Sequence, residues 1–183
     1  MARRAADTGV VALEESGKIV DAGWTVGIDA TIEWVERWAE TDTLLFVDAP
    51  LVVDNDVGQR ACERDVAKRY MYPWKVGANS TNLAKANLGG VTLRLRLEQL
   101  GWRYCDGWDR PPTSGRVVSE CYPYTTLVGV PELGYDVRPT YKRKPRGILT
   151  REWRSLRATT CDDLIKRIAS LAATDPPIDV RSH

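Results

Sequence analysis

The run Leu44-Leu45-Phe46-Val47 constrains this chain more than any other feature of its sequence. It is apolar without interruption and stops at Asp48-Ala49-Pro50. A short run of this kind after a helix reads as a buried strand of a parallel sheet. The helix before it is written in Ile28, Ile32, Val35 and Ala39. These recur at helical spacing, with Trp34 and Trp38 beside them. Asp29 is placed to cap that helix, which runs to about Glu40. Upstream, Thr8 to Glu14 and Lys18 to Trp24 read as two strands. Glu15-Ser16-Gly17 supplies the turn of a hairpin between them.

The rest of the chain continues the alternation. A second helix is expected from Asn55 or Asp56 to about Tyr70, with Val57, Ala61, Cys62 and Val66 as its inner stripe. Residues 71–90 are rich in Pro, Gly and Asn and read as a long loop. Val91 to Leu100 fits strand alternation and also a helix closed by Gly101; the helix is the expectation. Arg116 to Cys121 reads as a short strand. Two late helices follow, about Gly147 to Ala158 and Thr160 to Ala172, and Asp175-Pro176-Pro177 ends the second. Hairpin, helix, strand, helices, strand, helices is an α/β order with a mixed sheet. At 183 residues it suits one domain.

Composition excludes several kinds of chemistry. No apolar run approaches the roughly 20 residues of a membrane span. Val10-Val11-Ala12-Leu13 is too short for a signal peptide, so the expected compartment is the cytoplasm. The only histidine is His183, which argues against Ser-His-Asp and Cys-His catalysis. Cys62, Cys105, Cys121 and Cys161 show no CxxC spacing and read as buried thiols rather than zinc ligands. The net charge of +1 hides an asymmetry: residues 1–65 sum to −8 and residues 66–183 to +9. Residues 138–167 alone hold ten basic and three acidic side chains, which points to an anionic partner or to a solvated basic face.

Two carboxylates stand out. Asp48 follows the Leu44–Val47 strand, and Glu120 ends Val117-Val118-Ser119. Ligands of open α/β sheets gather at the carboxyl ends of parallel strands, and two acids there suit Mg²⁺ or Mn²⁺. Alternatively, Asp48 forms a turn and Glu120 is a surface acid. Arg60 and Arg64, one turn apart near a helix start, suit a phosphate or pair with local acids. Tyr141-Lys142 and the cations around it suit a nucleic-acid backbone or form a basic surface loop. Trp74, Trp102, Trp108 and Trp153 read as core or interface residues. Asp162-Asp163 read as first-turn acids of the last helix.

Five short motifs occur in order: Phe46-Val47-Asp48-Ala49-Pro50-Leu51; Asn55-x-x-Gly58-Gln59-Arg60-x-Cys62-Glu63-Arg64; Ala78-Asn79-Ser80-Thr81-Asn82; Glu120-Cys121-Tyr122-Pro123; and Tyr141-Lys142. In these the chain resembles the family of the domain of unknown function four-twenty-nine, predicted RNase H-like nucleases. The resemblance spans about Thr8 to Ser182. It implies an RNase H-like mixed sheet flanked by helices, in one domain over residues 1–183. It implies Asp48 and Glu120 as two acids of a metal-binding, catalytic set. Because a phosphate ligand needs cations beside its metal, Arg60, Arg64 and Lys142 are expected to face the same cleft as Asp48 and bind the substrate. The family also has a first strand ending in a Gly-x-Asp-x-Ala-Trp-like motif and a last acid-bearing helix, and neither pattern is found here. The expectation is a divalent-metal-dependent nuclease-like domain, weak or inactive as this chain. The alternative is a non-catalytic remnant that binds nucleic acid or protein. The missing central strand also implies an open sheet edge beside Leu44–Val47, with self-association through it.

Overall fold

The computed structural model describes residues 7–85, 88–108, 112–142 and 144–171. Its secondary structure is mixed α/β: β1 (Asp7–Leu13), β2 (Ile19–Val26), α1 (Gly27–Trp38), β3 (Thr43–Val47), α2 (Ala61–Tyr70), α3 (Gly89–Gln99), β4 (Arg103–Cys105), β5 (Arg116–Glu120), α4 (Pro123–Gly129) and α5 (Thr150–Ala169). The described chain falls into two compact units. The first holds the residues up to Ala12, Ala22–Asp65 and Ala78–Pro123. The second holds Leu13–Asp21, Val66–Gly77 and the residues from Tyr124 on. No helix among the described residues is long and apolar enough to cross a membrane.

The strands form two sheets. β1 and β2 make the expected hairpin, with Gly17 at φ 83° in the turn and its N–H donating to Glu14 O at 2.9 Å. A positive φ of that kind is where glycine carries no Cβ penalty. The second sheet has the order β3-β5-β4, all parallel. Val47 lies opposite Glu120 and Thr43 opposite Arg116. Among the described residues β3 has a ladder neighbour on one side only. It is therefore parallel, as its run of apolar residues suggests, but not covered on both faces: Leu44 is 48% and Phe46 61% exposed.

The core of the first unit lies on the other face of that sheet. Ile32 and Val35 of α1, Leu93 and Leu97 of α3, Leu51, Trp102 and Val118 are buried together, with Leu45, Val47 and Tyr104 against them. The Trp102 indole N–H donates to Glu36 Oε1 at 2.7 Å, and Arg116 Nη1 donates to Glu36 Oε2 at 3.0 Å. One carboxylate thus ties α1 to β5 and to the residue before β4. Residues 91–100 do form a helix: Leu93 and Leu97, four apart, are buried while Leu95 is exposed.

Several expectations are corrected. Asp29 is not the cap of α1; Val26 is, and Asp29 pairs with Arg96. The second helix starts at Ala61, because the Asn55 side chain is engaged with the carbonyls of Val57, Gly58 and Thr81 and folds residues 55–60 into a loop. Its buried residue is Glu63, whereas Val57 is 76% exposed and Cys62 is exposed as well. The two late helices are one, α5, with no break near residue 159. Asp163 is consequently an interior residue of α5 paired to Arg167, not a first-turn acid. Trp102 and Trp153 are buried but Trp108 is exposed. β4 and α4 have no counterpart in the sequence reading. Asp175-Pro176-Pro177 lies outside the described residues.

Candidate functional site

The parallel register brings the two candidate acids to one edge. Glu120 ends β5 opposite Val47, and Cys121 N–H donates to Val47 O at 3.0 Å. Asp48 is the next residue after Val47. Both acids therefore stand at the carboxyl ends of adjacent parallel strands, where such sheets gather ligands. Their surroundings differ: Asp48 is exposed, while Glu120 is partly buried on the core face.

Glu120 is held by Arg60. The guanidinium meets the carboxylate as a fork, Nη1 to Oε2 at 2.8 Å and Nη2 to Oε1 at 2.6 Å. Leu51 N–H adds a third bond to Oε2 at 3.0 Å. Two-point pairing of this kind is among the strongest side-chain interactions. Arg60 uses its remaining donors on the surrounding chain. Nη1 reaches Val52 O at 3.0 Å and Nε reaches Glu63 Oε1 at 3.1 Å. The residue is only 7% exposed. A buried cation of this kind is tolerable because nearly every donor is satisfied by a carboxylate or a carbonyl.

Glu63 completes the arrangement and also starts α2. Its Oε2 accepts the Arg60 N–H at 3.1 Å and the Thr81 N–H at 2.9 Å. Reaching back three residues to the N–H before the helix is the glutamate half of a capping box. Burial by itself raises the Glu63 pKa, but the hydrogen bonds from Thr81 and Arg60 outweigh it and hold the carboxyl below its ordinary value. Burial works against the Arg60 charge, yet the Glu120 hydrogen bonds and charge leave its pKa raised. The loop around them is stitched likewise. Gln59 Nε2 donates to Ala78 O at 3.2 Å and Asn82 Nδ2 to Gly58 O at 2.9 Å. The motifs 55–64 and 78–82 are therefore two sides of one polar junction that ends on Glu120.

The other candidates, Arg64 and Lys142, make contacts of their own. Arg64 turns to the carbonyl of Gln59 at 2.6 Å. Lys142 belongs to the second unit, its ammonium 5.1 Å from the centre of the Tyr124 ring. The sequence reading missed Glu63 as a site residue. Its signal was present in the Arg60-to-Glu63 spacing of a reversed cap. At the sheet edge the Glu120 carboxylate is already bridged to a guanidinium. No group of three or more His, Cys, Asp or Glu able to hold a metal occurs among the described residues. Mg²⁺ prefers an octahedron of oxygen ligands, so these groups fit it poorly.

No family model, curated protein or solved structure matches the chain.

Proposed function

We propose that this chain is an RNase H-like, nuclease-like domain that binds nucleic acid and cleaves it weakly or not at all. The Arg60 fork on Glu120 carries this reading. It supplies at the sheet edge the positive charge that a catalytic Mg²⁺ or Mn²⁺ would supply, and a metal entering there has to displace or repel it. Phosphoryl transfer by two metals about 4 Å apart needs several free carboxylates, and Glu120 is already engaged by Arg60.

The binding half rests on the second unit. Arg151, Arg154 and Arg157 recur every third residue on α5, all exposed. Among the described residues no carboxylate pairs with any of the three. Cations three apart share one side of a helix, a geometry suited to a phosphate backbone.

The test is titration of the chain with Mg²⁺ and Mn²⁺ in the presence of labelled RNA and DNA. The expected result is salt-sensitive binding with no appreciable cleavage. Robust Mg²⁺-dependent cleavage abolished by Asp48→Ala would overturn the inactive half. Binding that ignores salt would overturn the phosphate half.

A further inference from the structure

The first half of α5 is open to solvent on most of its sides. Of Thr150–Thr159 only Trp153 is buried, and the other nine residues are exposed. Trp153 is also the one buried residue of the whole helix. A helix packed along a core buries a stripe that recurs at every turn. This one buries a single side chain over its first ten residues, about 15 Å of helix.

One of the open sides is basic throughout. On a helix surface the neighbours of a residue lie three and four positions away, so Arg154 stands among Thr150, Arg151, Arg157 and Ala158. All five are exposed, three are arginines and none is an acid. Among the described residues none of the three guanidiniums is paired with a carboxylate. The one acid in this half is Glu152, which lies about 200° round the helix from Arg154. Its Oε2 accepts the Leu149 N–H at 3.3 Å. Asp162, one turn past Ala158, closes the basic side, and Asp163 is paired with Arg167. Thr150 and Ala158 are small, so a partner can approach the helix closely between the arginines. Like charges gathered on one side repel one another, and a bound polyanion relieves that repulsion.

A cationic helix side without rings selects among nucleic acids. Single strands are held by aromatic side chains on which their bases stack. The aromatic residue of this half, Trp153, is buried and offers no such platform. A helix with its side chains is about 10–12 Å across, and the major groove of B-form DNA, about 12 Å wide, admits one. The major groove of A-form RNA is too narrow. Arginine suits both parts of the DNA groove, since its planar fork pairs two-point with a phosphate or with the groove edge of guanine. We propose that the first half of α5 binds in the major groove of duplex DNA, with Arg154 toward the base edges and Arg151 and Arg157 on the phosphates of the walls. The proposal rests on the nucleic-acid reading above and narrows it to one class of ligand.

The test is fluorescence anisotropy of three labelled probes of equal length, a mixed-sequence DNA duplex, an RNA duplex and an oligothymidylate, over a salt series. The full chain is compared with Arg157→Ala, Ala158→Trp and Thr159→Trp, all at exposed positions of α5. The unaltered chain should bind the DNA duplex most tightly. Ala158→Trp puts bulk on the basic side and should weaken DNA-duplex binding roughly five- to hundredfold, the loss of a base-edge contact, with oligothymidylate binding unchanged. Thr159→Trp puts the same bulk on another side and should leave DNA-duplex binding as it is. Arg157→Ala should lower the slope of log affinity against log salt by about 0.9 for the DNA duplex. Equal effects of the two tryptophans, or a DNA duplex bound no more tightly than the other probes, would overturn groove binding and leave the broader function standing. No binding of any probe by the unaltered chain would overturn both.

Discussion

Arg60 sits between two glutamates that have no other cation at hydrogen-bond distance among the contacts described above. Replacing it therefore leaves two carboxylates, one of them buried, with backbone N–H donors but no cation. Breaking a buried pair from one side typically costs about 3–5 kcal/mol. Arg60→Ala should lose about 3 kcal/mol in urea unfolding, whereas Arg64→Ala, which loses one exposed bond to a carbonyl, should stay within about 0.5 kcal/mol. A loss for Arg60→Ala no larger than that for Arg64→Ala would show that the junction is not what holds the loop. Acid should act through the same group. Glu63 has a folded pKa below its unfolded value of about 4.3, so its stabilisation is complete above that pH and disappears as pH falls through the folded pKa. The loss belongs below about pH 4. Glu63→Gln should flatten the pH dependence of unfolding there, and an unchanged slope would contradict this. The identity of the acid edge was legible in the sequence, because an apolar strand stopping at Asp48 and another stopping at Glu120 announce their ends. The partner of Glu120 was not. Arg60 and Glu120 lie 60 positions apart, and no local spacing says which cation crosses that distance.

At the level of elements, residues 91–100 show how one sequence serves two periods. Val91, Leu93, Leu95 and Leu97 alternate as in a strand, yet only Leu93 and Leu97 are buried. Leu97→Ala should cost about 2–5 kcal/mol and Leu95→Ala under about 0.5 kcal/mol, and equal costs would restore the strand reading. The entry of that helix is fixed by a glycine. A Cβ on Gly90 would stand 2.3 Å from Pro50 O and 3.1 Å from Ala49 Cβ, so the helix start lies directly on the backbone that follows Asp48. Gly90→Ala should destabilise the chain although alanine is the better helix former, and thermal unfolding reads the sign. The helices α1, α3 and most of α5 were legible because their apolar or turn-forming residues recur at clear spacing. The start of α2 was not, since its cap is a glutamate reaching backward and its buried face is polar. Helix α4 is seven residues and β4 three, too short for any period to register. The expected break in α5 at Thr159-Thr160 fails because both hydroxyls donate to carbonyls four residues back, Ser155 O and Leu156 O, inside a continuous helix.

Across the molecule, the open side of β3 matters most for behaviour in solution. Its five residues carry no charge and no proline, and two of its large side chains face water. Edges of this kind are normally blunted by lysine or covered. Association that rises with concentration is expected, and Phe46→Lys should suppress it in light scattering without lowering the unfolding midpoint. A wild-type chain that stays monomeric at high concentration would count against the edge. The same sheet has a kinetic side. β5 meets β4 across 14 positions of chain but meets β3 across 73. The entropy of closing a loop is set against contact formation, and long closures delay it. The short pairing is therefore assembled early and the long one late. The junction on Glu120 inherits that delay, since it joins residue 60 to the end of β5. Pulsed hydrogen exchange during refolding should protect the Trp102 amide, bonded to Leu97 O, before the Thr43 and Cys121 amides, bonded to Gly115 O and Val47 O. Until that last docking, the chain passes through a stage in which its most apolar strand is unpaired on both sides. Yield on refolding should then depend on dilution far more than on temperature.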